Sequence, residues 1–233
     1  MELDEVRERL RQFSDVAAQT DDPLSWFEEL YSWAEGNSEW IPWDKGEPNL
    51  LFASWPHLTS LEAGQALVVG CGLGDDSVLL AGLGWKVTAF DLSPSAVKWA
   101  AEKHEEVLKL ASGTVDWQVA DITNTPTEWK GAFDLVLEVH LLQAIPEPER
   151  SLGSQILPIL VAEGGHLLCV GRIRTPTSDM EGPPWPLERQ WVLDIGEEME
   201  LSIIEEFELP DDEPGIVRYR AVWRQGAAVS QMT

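Results

Sequence analysis

The chain is short of positive charge, of cysteine and of long apolar runs, and each shortage excludes a class of function. Against 41 Asp and Glu stand 16 Lys and Arg, a formal net charge of −25 over 233 residues. Such a field repels phosphate backbones and anionic lipid, so neither nucleic acid nor a membrane is expected as a partner. Two cysteines, Cys71 and Cys169, make no disulfide framework and read as small buried residues. Histidine is scarce as well. His57, His104, His140 and His166 are scattered, with no CxxC or HExxH spacing, so no metal is expected. No apolar run approaches the roughly 20 residues that span a bilayer. The charged stretch Met1–Leu10 has no signal-peptide core. These features lead us to expect a soluble, cytoplasmic protein.

What is present is concentrated in residues 67–91, LVVGCGLGDDSVLLAGLGWKVTAFD. An apolar run opens into Gly70-Cys71-Gly72-Leu73-Gly74, a helix-like stretch follows, and a second apolar run ends on Asp91. Strand, glycine turn, helix, strand and acid make half of a nucleotide-binding α/β unit. The dinucleotide pattern G-x-G-x-x-G is absent: Asp75 and Asp76 follow the third glycine directly. Two carboxylates there would repel a pyrophosphate at the helix N-terminus. They suit a cofactor without phosphate and with a cationic amino-acid end, such as S-adenosylmethionine. Asp91 lies 17 residues after Gly74, near the offset of about 20 at which an acid meets ribose hydroxyls.

The rest of the pattern alternates strands with helices. Strands are expected near 66–70, 85–90, 115–120, 133–139 and 166–173, with two late strands at 201–209 and 216–224. Helices are expected near 3–20, 24–34, 50–58, 75–83, 94–110, 152–161 and 187–196. Ser25 and Glu28 have capping-box spacing, and Ser93-Pro94 opens a helix with proline at its favoured first position. The expected fold is α/β: a single Rossmann-like, doubly wound, mostly parallel seven-stranded sheet with an antiparallel edge hairpin and an N-terminal helical arm. Residues 1–60 read as the arm and a cofactor-covering loop, 61–226 as the main domain, and 227–233 as a flexible tail.

Four segments in order, VVGCGLGDD, AFDLSPSAV, VADI and FDLVLEVHLLQAIPEPER with GGHLLCVGR behind it, resemble a class I S-adenosylmethionine-dependent methyltransferase. PWDKGEP (42–48), LLQAIPEPER and GPPWPLE (182–188) are similar to segments of the thiopurine and thiol/halide methyltransferase group. Two departures concern the acceptor: an extra GNSEWI stretch before PWD, and Val139-His140 where thiol enzymes tend to carry an aromatic and a small polar residue. The resemblance implies methyl transfer from S-adenosylmethionine, leaving S-adenosylhomocysteine, to a small-molecule nucleophile. A thiol or related soft acceptor is the first choice. A nitrogen or oxygen acceptor, or a protein side chain, is the alternative; the oligomeric state is left open.

Roles follow for individual residues. Gly70, Cys71, Gly72 and Gly74 would underlie the methionine part of the cofactor, and Asp91 would accept from both ribose hydroxyls. Leu92 would pack on adenine. Asp121, beside Ile122, would accept from the exocyclic amine or else serve as a turn aspartate. Trp33 and Trp43 would shield the sulfonium by cation–π attraction. Glu138 would bind the ammonium or shape the acceptor site. His140 titrates near neutrality and would act as base or as a structural donor, with Gln143 orienting the acceptor. Trp185 would form a lid, and Arg172 and Arg174 would pair with acids or recruit an anion.

Overall fold

The structure, a computed structural model, describes residues 3–17, 19–180 and 182–226. The expected tail at 227–233 lies outside the described residues. Seven strands form one sheet in the order β3-β2-β1-β4-β5-β7-β6. They are β1 (Gln65–Val69), β2 (Lys86–Asp91), β3 (Thr114–Val119), β4 (Phe133–Val139), β5 (Val161–Ile173), β6 (Glu200–Phe207) and β7 (Val217–Arg224). β1 to β5 pair in parallel, and β7 and β6 pair antiparallel at one edge. The strand order reverses between β1 and β4, so the crevice at the carboxyl ends of these strands is the position where α/β sheets bind ligands.

Helices α3 (Leu50–Ala53), α4 (Asp75–Gly82) and α5 (Pro94–Leu108) follow the N-terminal pair, α1 (Leu3–Ala17) and α2 (Trp26–Ala34), and α6 (Glu149–Leu160) and α7 (Arg189–Asp194) complete the set. Two apolar cores lie on opposite sides of the sheet. One joins Val136, Cys169, Tyr219 and Trp223 to Leu157 of α6 and Val192 of α7. The other joins Leu135, Leu137, Leu168 and Val222 to Phe52 of α3 and Leu80 of α4. Central-strand residues alternate between them, as period-two side chains of a doubly covered sheet must. A third cluster joins Trp26, Leu30, Tyr31 and Ile41 to Leu73 of the glycine turn and Ala96 of α5. It fixes the N-terminal helices over the carboxyl end of the sheet.

Most expected boundaries hold within three residues, and two differ by more for local reasons. β5 starts at Val161, because Phe133 pairs with Val161 before a register shift carries Leu135 to His166. Residues 161–165, VAEGG, have no apolar alternation to announce that extension. The expected helix at 50–58 stops at Ala53, after which Trp55 and Leu58 are in turns. Among the described residues, no helix is long and apolar enough to cross a membrane.

Candidate active site

The crevice is built from the glycine turn upward. Gly74 has φ of +86°, and a Cβ there would lie 2.4 Å from the Trp117 ring. At Gly70 an added Cβ would meet Leu141 at 2.9 Å. Packing within the protein therefore requires glycine at both positions. Gly72 is different: with φ of +51° it faces Tyr31 Oη at 3.1 Å from a Cβ position, and Trp43 Nε1 at 4.0 Å. Of the three glycines, Gly72 is the one that opens toward the covering aromatic pair. Cys71 donates its amide to Phe90 O, and burial pushes its thiol well above the usual range, so it is no nucleophile.

Asp91 lies at the end of β2 under this turn. Its Oδ2 accepts from Gly72 N–H and its Oδ1 from Ser93 N–H, both at 3.0 Å. Burial raises its pKa, and the backbone amides counter that rise. The helix N-cap is filled by Ser93, whose hydroxyl accepts from Ala96 N–H at 3.0 Å. Asp91 is thus released from capping. Oδ1 and Oδ2 each take one of these amides, the Leu92 amide favours the ionised form as well, and the carboxylate keeps acceptor capacity beyond them. Leu92 is half-buried against the α6-side core.

Asp121 and Ile122 follow β3 and are turned inward. Asp121 Oδ1 accepts both the amide and the hydroxyl of Thr123, at 2.7 and 2.8 Å, which is the turn role. Ile122 is buried against Gly153 and Leu142. The pair Asp75-Asp76 also differs from expectation. Asp75 binds Lys103 at 2.6 Å, and Asp76 accepts Asn49 N–H at 2.7 Å while burial pushes its pKa to about 6. Both carboxylates serve the protein itself.

The cover is formed by Tyr31 and Trp43, where Trp33 and Trp43 were expected. Trp43 Nε1 donates to Tyr31 Oη at 2.9 Å above Gly72. Trp33 stacks on Trp40 at 4.7 Å, with Phe13 at its edge and Arg9 over its ring. Helical geometry gives the reason. Two residues apart on a helix, Tyr31 and Trp33 point to nearly opposite faces: Tyr31 toward Gly72, Trp33 toward Phe13 of α1. Residue type suggested the tryptophan; helical phase selects the tyrosine.

At the other end of the crevice, His140 follows β4 with φ of +63°. Its Nε2 is 3.2 Å from Arg218 Nη1 and 3.4 Å from Asn49 Nδ2. Both partners are donors, so Nε2 is the acceptor and the ring proton is on Nδ1. Burial, Arg218 and Arg172 push the imidazole pKa down to about 4. A ring whose one basic lone pair faces a guanidinium does not take a proton from an acceptor. Of the two roles expected for His140, this geometry favours the structural one, but as an acceptor: Nδ1 has no hydrogen-bond partner among the described residues. Arg218 is itself held by Asp212 through two contacts of 2.5 Å.

Gln143 is 3% exposed and orients the protein. Its Oε1 accepts Arg172 N–H at 2.7 Å, and its backbone carbonyl accepts Trp185 N–H at 2.7 Å. The segment carrying Trp185 is thereby tied to the loop after β4, with the Arg150 guanidinium 5.1 Å over the Trp185 ring. Arg172 and Arg174 do not act as a pair. Arg174 binds Glu188 at 2.6 Å in a half-exposed bridge, and Arg172 is opposite Arg218 in the β5–β7 ladder.

Glu138, next to last in β4, pairs with Val69 on one side and Cys169 on the other. It is 1% exposed; its Oε1 accepts Leu142 N–H at 3.0 Å, and its Oε2 has no hydrogen-bond partner. Burial raises its pKa to about 7. Tyr219 Oη, on the same face, is also buried without a partner. Tyr31, Asn49, Arg218 and Tyr219 escaped sequence reasoning. Only Tyr31 carried a local signal, an aromatic ring two residues before Trp33 and so on nearly the opposite face of the same helix.

A model of the thiopurine S-methyltransferase family matches residues 28–214. The chain belongs to that family. Over 159 residues it is 28% identical to probable thiol methyltransferase 2 of Arabidopsis thaliana, covering 66% of this chain and 63% of that protein. Over 119 residues it is 35% identical to a ubiquinone biosynthesis O-methyltransferase of Xanthomonas euvesicatoria pv. vesicatoria, covering 51% and 47%. The chain thus spans less than two thirds of the length of either relative. In fold it is similar to the N-methyltransferase NodS of Bradyrhizobium japonicum WM9, solved with S-adenosyl-L-homocysteine. The TM-score is 0.61 at 20% identity, over 93% of this chain and 98% of that one. A SAM-dependent methyltransferase of Methanosarcina mazei gives 0.62 at 17% identity, over 78% and 99%.

Proposed function

We propose that the chain is an S-adenosylmethionine-dependent methyltransferase acting on a small soft nucleophile, a thiol in first place. The observation that carries this reading is Asp91: a carboxylate at the end of β2, aimed by the amides of Gly72 and Ser93, with acceptor capacity to spare. That arrangement suits the two hydroxyls of a ribose. Gly72 supplies the close backbone approach that the methionine part needs. When bound, the cofactor supplies an activated methyl group on a sulfonium.

The chain's own residues supply alignment, dryness and a place for a proton. Tyr31 and Trp43 exclude water over Gly72 and present an aromatic face to positive charge. Leu92 flanks the adenine, and Asp121 offers Oδ2 to its amine. Glu138 takes the proton of a neutral thiol at Oε2, the oxygen left without a hydrogen-bond partner, with the Cys169 thiol and the Leu141 amide beside the carboxylate. His140 is excluded from that task by the donors on its Nε2. It holds the loop after β4 against Asn49 and Arg218. Residues 1–60 act as the cover and 61–226 as the methyltransferase domain, in the cytoplasm. A net charge of −25 further supports a small-molecule acceptor over nucleic acid.

The likeness to a thiol methyltransferase supports sulfur, and the likeness to an O-methyltransferase keeps oxygen as the second reading. A screen of thiols, selenols, halides, amines and phenols, read by release of S-adenosylhomocysteine, decides between them. Thiols are expected to turn over fastest. Turnover confined to phenols would move the acceptor to oxygen, and cofactor binding without turnover of any acceptor would make the chain a binding module.

A further inference from the structure

Two of the residues whose amides aim Asp91, Gly72 and Ser93, lie against the same helix, α2. Over Gly72 stands Tyr31 Oη, 3.1 Å from where a Cβ would lie. Beside Ser93 is Glu28, one helical turn before Tyr31. Glu28 Oε2 accepts the Ser93 hydroxyl at 2.6 Å and the Ser95 amide at 3.0 Å, and its Oε1 accepts the Ser95 hydroxyl at 2.7 Å.

Capping-box spacing would send Glu28 back to the Ser25 amide. The Ser25 side chain makes no cap, and its hydroxyl bonds Asp22 O. The carboxylate reaches across to the N-terminus of α5, where the helix dipole and three donors favour its charge. The hydrogen bonds from Ser93 and Ser95 outweigh its burial and lower its pKa. Glu28 is also close enough to raise the pKa of Asp91. Like charges approach here because Ser93 donates to both: its hydroxyl to Glu28 and its amide to Asp91.

We propose that Glu28 is a positioning residue for the cofactor. It locks Ser93, and through Ser93 the carboxylate of Asp91, to the helix that places Tyr31 over Gly72. This rests on Asp91 gripping the ribose. Docking of α2 and alignment of the ribose acceptor then become a single event. Loss of Glu28 loosens both ends of the bracket and leaves the acceptor end of the crevice untouched.

The test is calorimetric titration of S-adenosylhomocysteine into the wild type and into Glu28→Ala, Glu28→Asp, Glu28→Gln and Asp91→Ala. Cofactor KM and kcat are measured on the same proteins. Glu28→Ala should weaken binding about tenfold, the scale of one charged hydrogen bond, with KM rising in step and kcat at saturating cofactor kept within about twofold. Glu28→Asp, one methylene short of both serines, should lose a similar amount. Glu28→Gln keeps an oxygen for the Ser93 hydroxyl and the Ser95 amide, its NH2 can donate to the Ser95 hydroxyl, and it should stay within about threefold of wild type. Protection of α2 amides by S-adenosylhomocysteine, seen by hydrogen exchange, should vanish in Glu28→Ala. Wild-type affinity in both Glu28→Ala and Glu28→Asp, with Asp91→Ala weakened, would overturn the role of Glu28 alone. Wild-type affinity in Asp91→Ala would overturn the ribose reading, and the proposal with it.

Discussion

At the β1–β2 end of the crevice, the glycine turn and the carboxylate come from one stretch, residues 67–91. At the β4–β5–β7 end, His140 meets Arg218 across 78 positions and Asn49 across 91. The first end is a local motif whose geometry follows from strand, turn and helix. The second is an assembly of distant strands and loops, in which each side chain's role depends on which neighbour the fold delivers. Roles inferred from residue type alone are therefore safer at the first end than at the second.

Four substitutions and a pH series sharpen that contrast. The largest effect is expected at the second end. If Glu138 takes the proton, Glu138→Gln should lower kcat on an aliphatic thiol about a hundredfold and remove an ascending limb near the Glu138 pKa of about 7. It should leave S-adenosylhomocysteine affinity unchanged. Next comes the first end: Asp91→Ala should weaken S-adenosylhomocysteine binding by about 1.5–3 kcal/mol, read by calorimetry, with thermal stability little altered. Third, Gly74→Ala should cost roughly 2 kcal/mol of stability in a denaturant titration, since its Cβ would collide with Trp117. Gly74→Ala tests whether that glycine serves packing, which a ligand contact would not explain. Smallest of the kinetic effects, His140→Gln should lower turnover less than about tenfold without shifting the pH profile. A hundredfold loss with a changed profile would return His140 to the role of base.

Thermal stability against pH separates the same two residues. The Glu138 pKa is raised from 4.5 to about 7 in the fold, so its stabilising contribution is complete below 4.5 and is lost as pH rises through 7. The His140 pKa is lowered from 6.5 to about 4. The unfolded chain then binds the proton first, and stability falls as pH drops from 6.5 toward 4. Above 6.5 the Glu138 contribution alone remains of these two. The decline of Tm between pH 6.5 and 8 should therefore flatten in Glu138→Gln.

Much of the fold was legible because alternating apolar runs, glycine turns and Ser93-Pro94 act locally. So was Asp91, placed by its offset from the glycines. What was not legible depended on orientation or on distant partners. Trp33 was chosen for its ring, but helical phase turns Tyr31 to the crevice. Gln143 has an amide suited to an acceptor, and the β5 amide of Arg172 takes it. His140 looked basic until Arg218, invisible at a separation of 78 residues, faced its lone pair. Glu28 was read as a cap for its own helix and is spent on another.

A crystal structure with S-adenosylhomocysteine tests the central claim most directly. The ribose hydroxyls should lie within hydrogen-bond distance of Asp91 Oδ1 and Oδ2, beneath Tyr31 and Trp43. A nucleoside bound elsewhere, with Asp91 held by backbone amides alone, would contradict it.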